Sequence, residues 1–136
     1  MYLVDTNVIL EVLLEREQAD EAERFLCQMP RGSLFVSEFS LYSLGVFLFR
    51  QGKHEVFLKL VEDLFESLAI CLVRLTPQDV PALISAAQRY HLDFDDAYQY
   101  TVAEKHDLTI VSFDHDFDQT ERGRKTPKEV LRASEA

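Results

Sequence analysis

The segment DFDDAYQYTVAEKHDLTIVSFDHDF, residues 93–117, places a helix and a strand next to each other. Asp95 and Asp96 predict the start of a helix that runs to about His106, because acidic residues suit the first turn of a helix. The continuous apolar run LTIVSF, residues 108–113, is the strongest strand candidate of the chain and ends at Asp114. A helix followed at once by a buried strand is typical of α/β proteins.

The same alternation extends from this segment in both directions. We predict further strands at 2–4 (YLV), 33–36 (SLFV) and 69–74 (AICLVR). The remaining helices are expected over 6–15, 17–28, 38–50, 53–68, 77–90 and 127–133. Short strands that alternate with longer helices favour a parallel sheet covered on both faces. The sequence therefore predicts a Rossmann-like α/β fold, a three-layer α/β/α sandwich with a central parallel sheet of four or five short strands.

Two of these helices also indicate which side they bury. The helix over 53–68 repeats apolar residues at i, i+3 and i+4 steps and is the clearest helix of the chain. The helix over 77–90 opens with Pro77 at its first position. We expect its inward face to carry Val80, Leu83, Ile84 and Ala87.

Length and composition favour one intracellular domain. A chain of 136 residues is close to the usual size of one domain, so residues 1–136 are expected to form a single unit. Neither a basic leader nor an unbroken apolar span opens the sequence, which predicts a cytoplasmic protein that does not enter a membrane. Cys27 and Cys71 are expected to stay reduced, and the histidines lack the spacing of a zinc site.

The charge balance bears on function. The net charge of −10 results from 24 acidic residues against 14 Lys and Arg. A basic surface is the usual mark of nucleic-acid binding, and this composition does not provide one. An acidic balance suits solubility, divalent cations or a basic protein partner.

Three aspartates occupy positions that point to a shared site. Asp5 and Asp114 each follow a predicted strand directly, and Asp96 begins a predicted helix. In open parallel sheets ligands collect beyond the carboxyl ends of the strands, so these side chains are expected at one edge. Converging carboxylates repel one another, and a hard cation such as Mg²⁺ or Mn²⁺ relieves that repulsion. A metal held in this way activates water and stabilises charge on a phosphodiester.

Each of these residues also has a simpler interpretation. Asp5 precedes Thr6 and Asn7 and suits the cap of the following helix. Asp95 and Asp96 favour the helix dipole, and FDHDFD (113–118) reads as a solvated turn. Spacing alone leaves both interpretations open.

The motifs together resemble a known family. The opening YLVDTNVIL (2–10) has a hydrophobic strand followed by Asp-Thr-Asn, and 92–117 has an Asp-Ala helix followed by a strand and Ser-Phe-Asp-x-x-Phe. This order resembles the PIN domain family, metal-dependent ribonucleases that include the VapC-type toxins, and it covers nearly the whole chain. The resemblance implies a PIN-like fold with Asp5, Asp96 and Asp114 as catalytic and metal-binding acids. It also implies a neighbouring acid, Asp116, as a metal ligand, Ser112 as an auxiliary residue and Phe117 as an apolar anchor.

One position departs from the family pattern, which continues after the second strand with a Ser, mostly apolar residues and a Glu that faces the metal. In VSEFSLYSLGVF (36–47), Ser37 matches the Ser, but Ser43 stands where the Glu is expected. Glu38 lies five residues earlier, which is about 140° away on an ideal helix, so it substitutes only if the helix starts irregularly. Thr6 and Asn7 are auxiliary candidates that orient Asp5 or contact phosphate.

Two functions follow from these expectations. The first is a Mg²⁺- or Mn²⁺-dependent endoribonuclease that hydrolyses RNA, with the toxin of a toxin–antitoxin pair as one version. The resemblance then implies an RNA substrate, a small antitoxin and a homodimer. The alternative is a catalytically reduced or inactive PIN-like interaction module, marked by the missing Glu, with 38–50 and 53–68 as its partner surface. The sequence leaves both functions open, together with that of another metal-dependent phosphoesterase on a related α/β scaffold.

Overall fold

Strands and helices alternate along the computed structural model, which describes residues 1–135. The strands are β1 (Tyr2–Val4), β2 (Leu34–Ser37), β3 (Cys71–Val73) and β4 (Thr109–Val111). The helices are α1 (Thr6–Leu13), α2 (Ala19–Gln28), α3 (Glu38–Arg50), α4 (His54–Glu62), α5 (Val80–Tyr90), α6 (Phe94–His106) and α7 (Pro127–Glu135). A π-helical turn (Asp63–Ser67) continues α4, and 3₁₀ turns occupy Pro77–Asp79 and His115–Gln119. None of the helices in this part of the chain has the length and apolar character that crossing a bilayer requires.

The four strands form one parallel sheet in the order β3-β2-β1-β4. In this sheet Leu3 pairs with Phe35 on one side and with Ile110 on the other. Beyond β4, Lys125 adds a single parallel bridge to Val111. The predicted parallel sheet of four or five short strands is therefore confirmed.

Alternate residues of the strands supply two cores, one on each face of the sheet. Val4 and Val111 pack with buried residues of α1, α2 and α7. Leu3 and Ile110 pack with buried residues of α5 and α6 on the opposite face. This alternation follows from the two-residue period of a strand. It confirms the predicted three-layer sandwich.

The chain path places a crevice between β1 and β4. From β1 the chain moves outward to β2 and then to β3, and after α5 and α6 it returns to the other side of β1. The connections thus run in opposite directions from β1, which makes the β1–β4 boundary the switch point of the sheet. Ligands of open α/β sheets bind outside the carboxyl ends of the strands at such a point.

Two details of the helices differ from the sequence expectations. The regular α-helix expected over 53–68 ends at Glu62 and gives way to the π-helical turn. In α5, Leu83 and Ala86 are buried, whereas Val80 and Ile84 are 46% and 49% exposed, so the prediction that these two face inward is wrong. The helix packs mainly on α6, and this contact determines which of its side chains are buried. The buried face of α5 therefore differs from the one that the apolar spacing suggested.

Candidate metal centre

Asp5 lies at the switch point, directly after β1. Its backbone N–H donates a hydrogen bond to the Val111 carbonyl at 3.0 Å, which joins the ends of β1 and β4. Its side chain caps α1, since Oδ1 accepts from the Thr6 N–H at 2.8 Å. The residue is only 7% exposed. One side chain therefore satisfies both the capping interpretation and the placement at the sheet edge.

Ser112 holds the Asp5 carboxylate from the end of β4. The Ser112 hydroxyl donates a hydrogen bond to Asp5 Oδ2 at 2.7 Å. Ser112 Oγ also accepts a hydrogen bond from the Asp114 N–H at 2.9 Å. Asn7 reinforces this junction because its Nδ2 donates to Ser112 Oγ at 3.1 Å while its Oδ1 accepts from the Phe113 N–H at 3.2 Å. Asn7 thus ties the first turn of α1 to the segment that carries Asp114.

Asp96 reaches the same place from the start of α6. The Asp93 side chain caps this helix by accepting from the Asp96 N–H at 3.0 Å, so α6 begins at Phe94, slightly earlier than the sequence indicates. Asp96 then falls in the first helical turn, where it is 6% exposed. The helix therefore directs a buried carboxyl group toward the end of β4.

The carboxyl groups are crowded. Ligand oxygens of Asp96, Asp114 and Asp116 all lie within 4.8 Å of one another. Burial, and after it the charge of Asp114, raise the pKa of Asp96 to about 8. Burial also raises the pKa of Asp5, although hydrogen bonds from Ser112, Gln99 and Thr6 oppose that change. The raised pKa values of these carboxyl groups follow first from burial and then from the like charges of neighbouring acids.

A cavity of about 190 Å³ collects these groups. Its lining residues are Asp5, Thr6, Asn7, Leu10, Phe39, Ser43, Asp95, Asp96, Gln99 and Asp114. Asp5, Asp96 and Asp114, which the sequence suggested from separate elements, thus face one space. Asp116 adjoins it through the acidic cluster and through its N–H, which donates to Asp114 Oδ1 at 2.8 Å.

The two candidates on α3 have different positions. Ser43 lines the cavity, at the place where the resemblance puts a Glu. Glu38 is the first residue of α3, which starts regularly because the Ser37 side chain accepts from the Ser40 N–H. The irregular start that Glu38 would need is not present, and this residue is not part of the cavity lining.

Sequence reasoning missed two polar residues that support the centre. Gln99 is 2% exposed, and its Nε2 donates to Asp5 Oδ1 at 3.1 Å and to Ser40 Oγ at 2.7 Å. Ser40 is fully buried and also accepts from the Thr6 hydroxyl at 2.7 Å. A signal for Gln99 exists in the sequence, since it lies three residues after Asp96 and so on the same face of the helix.

The donors fit a hard divalent cation. The cavity and the adjoining cluster offer carboxylate, hydroxyl and amide oxygens, which are the ligands that Mg²⁺ and Mn²⁺ prefer. Among the described residues that line the cavity, none is Lys, Arg or His, so no side chain there neutralises the acids. Asp96, Asp114 and Asp116 form the tightest group, with Asp5 beside them.

The fold and the cavity define an α/β protein with an acidic centre at the carboxyl edge of a parallel sheet. The model of the PIN domain family matches residues 2–123. The chain belongs to the PIN domain family. Among curated proteins, no sequence matches it.

Solved structures similar to this chain include components of toxin–antitoxin systems. A toxin–antitoxin complex from Klebsiella pneumoniae matches with a TM-score of 0.73 and 19% identity, over 93% of this chain and 98% of the other. FitAcB from Neisseria gonorrhoeae matches with a TM-score of 0.69 and 22% identity, over 94% and 99%. VapC20 of Mycobacterium tuberculosis, a Sarcin-Ricin loop cleaving toxin, matches with a TM-score of 0.74 and 17% identity, over 89% and 95%. At these identities the likeness establishes the fold.

Proposed function

We propose that this chain is a divalent-metal-dependent endoribonuclease of PIN type and the toxin of a toxin–antitoxin pair. The observation that carries the proposal is the meeting of Asp5, Asp96 and Asp114, from three separate elements, in one cavity at the switch point of the sheet. Membership of the PIN family and the fold shared with the Sarcin-Ricin loop cleaving toxin support it.

In this proposal the acids have distinct tasks. Asp96, Asp114 and Asp116 would hold Mg²⁺ or Mn²⁺, and Asp5 would complete the set from the β1 side. When bound, the cation would supply the positive charge that stabilises a phosphodiester during hydrolysis. Ser112 fixes the positions of Asp5 and Asp114 relative to each other, because its side-chain oxygen forms hydrogen bonds with both residues.

The acidic charge of the chain has a consequence for substrate binding. A phosphate that enters the cavity meets carboxylates and neutral groups, and the protein carries a net charge of −10. Affinity for RNA normally depends on cationic side chains that neutralise phosphates. RNA binding at this site should therefore depend strictly on a divalent cation.

The toxin assignment implies further partners. A small antitoxin would bind the protein and restrain it, as the toxin–antitoxin complex from Klebsiella pneumoniae that shares this fold suggests. We further propose a homodimer that acts in the cytoplasm, with residues 1–136 as a single domain in each copy.

A cleavage assay tests the proposal directly. The purified protein is incubated with an unstructured, end-labelled RNA and Mn²⁺, and we expect cleavage that EDTA abolishes. Asp5→Asn and Asp96→Asn should remove activity, whereas Asp20→Asn, an exposed substitution with the same change of charge, should retain it. Cleavage that persists in EDTA, or an intact RNA with saturating Mn²⁺, would overturn the proposal.

A second candidate function rests on Ser43. Because this residue lines the cavity at the place of the family Glu, the centre has one carboxylate fewer than the family pattern. A catalytically reduced interaction module would follow from that loss. Ser43→Glu distinguishes the two functions: an inert wild type that becomes active with this change favours the reduced module. An active wild type excludes it.

A further inference from the structure

Gln99 combines burial with an unusual pattern of hydrogen bonds. The side-chain amide nitrogen has two acceptors, Asp5 Oδ1 and Ser40 Oγ. The amide oxygen has none, and Gln99 Oε1 is the one buried side-chain nitrogen or oxygen without a hydrogen-bond partner among residues 1–135. Buried polar atoms in folded proteins are nearly always paired, so an amide that serves only to pack would be expected to satisfy both ends.

The orientation of the amide follows from its neighbours. Asp5 Oδ1 already accepts from the Thr6 N–H, so it presents acceptor character to the amide. Exchange of the amide nitrogen and oxygen would place two acceptors 3.1 Å apart at Asp5. The nitrogen must therefore face Asp5, which leaves the oxygen free.

The position of Gln99 places its side chain beside the metal centre. Gln99 lines the same cavity as Asp5, Asp96 and Asp114, and it lies one helical turn beyond Asp96 on α6. A hydrated divalent cation usually retains several waters, each of which carries O–H donors. The free carbonyl of a buried amide is an acceptor suited to such a donor.

We propose that Gln99 is a positioning residue of the metal centre, which fixes the Asp5 carboxylate from its amide nitrogen and offers its amide oxygen to the hydrated cation. Ser40 and Thr6 extend the support, because Ser40 Oγ accepts from both Gln99 and the Thr6 hydroxyl. The proposal rests on the metal site of the proposed function. It adds Gln99 as a residue that supports the metal ligands without itself being one of them.

The variant Gln99→Met tests this role, because Met has nearly the shape of Gln but lacks the amide. Mn²⁺ binding to the folded protein is measured by calorimetry and by electron paramagnetic resonance of free Mn²⁺. Loss of a residue that supports metal ligands typically weakens binding about 10- to 100-fold, and we expect a decrease in that range. The matched control is Thr101→Val, which removes the buried hydrogen bond from the Thr101 hydroxyl to the Ala97 carbonyl within α6. This variant should bind Mn²⁺ with the affinity of the wild type.

The outcomes separate this proposal from the proposed function. Wild-type binding with an unchanged dissociation constant in Gln99→Met would overturn the role of Gln99 and leave the metal site standing. Absence of Mn²⁺ binding by the wild type would overturn both. If Gln99→Met does not fold, Gln99→Asn applies the same test, because it keeps an amide but moves it away from Asp5 by one methylene. A Mn²⁺ affinity of Gln99→Asn equal to that of the wild type would again refute the role of Gln99.

Discussion

Replacement of Asp96 by asparagine should stabilise the metal-free protein while it abolishes metal binding. Asp96 is buried, lies within 4.8 Å of acidic oxygens of both Asp114 and Asp116, and receives no side-chain hydrogen bond from a basic residue. The asparagine amide keeps the shape of the side chain and can donate to Asp114. The substitution therefore removes repulsion without removing a favourable contact.

The size of the effect follows from the spacing. Two unit charges at the 4.8 Å limit repel by about 3.5 kcal/mol at an effective dielectric constant of about 20. Near neutral pH the raised pKa of Asp96 lets it keep a proton, which replaces most of that repulsion by the cost of holding a proton that the unfolded side chain would release, and Asp116 is exposed to solvent. We therefore expect a net gain of about 1–3 kcal/mol, which corresponds to a rise in Tm of about 3–12 °C for a chain of this size.

Thermal unfolding followed by circular dichroism measures this gain, in EDTA and then in Mn²⁺. The control is Asp20→Asn, which changes the net charge equally at an exposed position and should shift stability by less than about 0.5 kcal/mol. The wild type should gain stability with Mn²⁺, and Asp96→Asn should not. An Asp96→Asn protein that melts at or below the wild-type temperature in EDTA would refute the crowding of charge at this centre.

Three further predictions concern the same region. The pKa of Asp96 rises from 3.8 to about 8 on folding, so the folded chain holds the proton more tightly than the unfolded chain. The stability of the metal-free protein should therefore fall as pH rises from about 4 to about 8. Melting curves in EDTA should show a weaker pH dependence in Asp96→Asn, and the remainder should come from Asp5, whose pKa burial also raises. Ser112→Ala removes a hydrogen-bond partner shared by Asp5, Asn7 and Asp114, and it should lower the free energy of unfolding in urea by about 2–3 kcal/mol. A decrease below about 0.5 kcal/mol would contradict the importance of this network. Phe117→Ala empties a fully buried position and should cost about 3–5 kcal/mol in the same assay, against less than about 1 kcal/mol for a surface substitution.

The sequence predicted those parts of the fold that depend on local pattern. Short apolar runs that end at Asp5 and Asp114 correspond to β1 and β4, and the spacing of apolar residues indicated the helix over 53–68, whose regular part is α4. Because both acids directly follow strands, their placement at one sheet edge needed only the assumption that the strands are parallel. Asp96 followed from its place at the start of a predicted helix, and the likeness of these motifs to the PIN family supported it.

Other features depend on contacts between distant residues and could not be read from local pattern. The neighbourhood of β1 and β4 joins residues more than a hundred positions apart, and it sets the switch point. The exposure of Val80 and Ile84 reflects the packing of α5 on α6, which the apolar spacing does not specify. The contact of Gln99 with Asp5 also escaped detection, because it joins residues 94 positions apart, although the place of Gln99 one helical turn after Asp96 was visible in the sequence.

Anomalous diffraction at the manganese edge, from crystals grown with Mn²⁺, tests most directly whether these acids coordinate a cation together. We expect one strong peak in the cavity, about 2 Å from carboxylate oxygens of Asp96 and Asp114, with Asp5 facing it. The absence of a peak at saturating Mn²⁺, or a peak elsewhere on the protein, would contradict the metal centre and the nuclease function built on it.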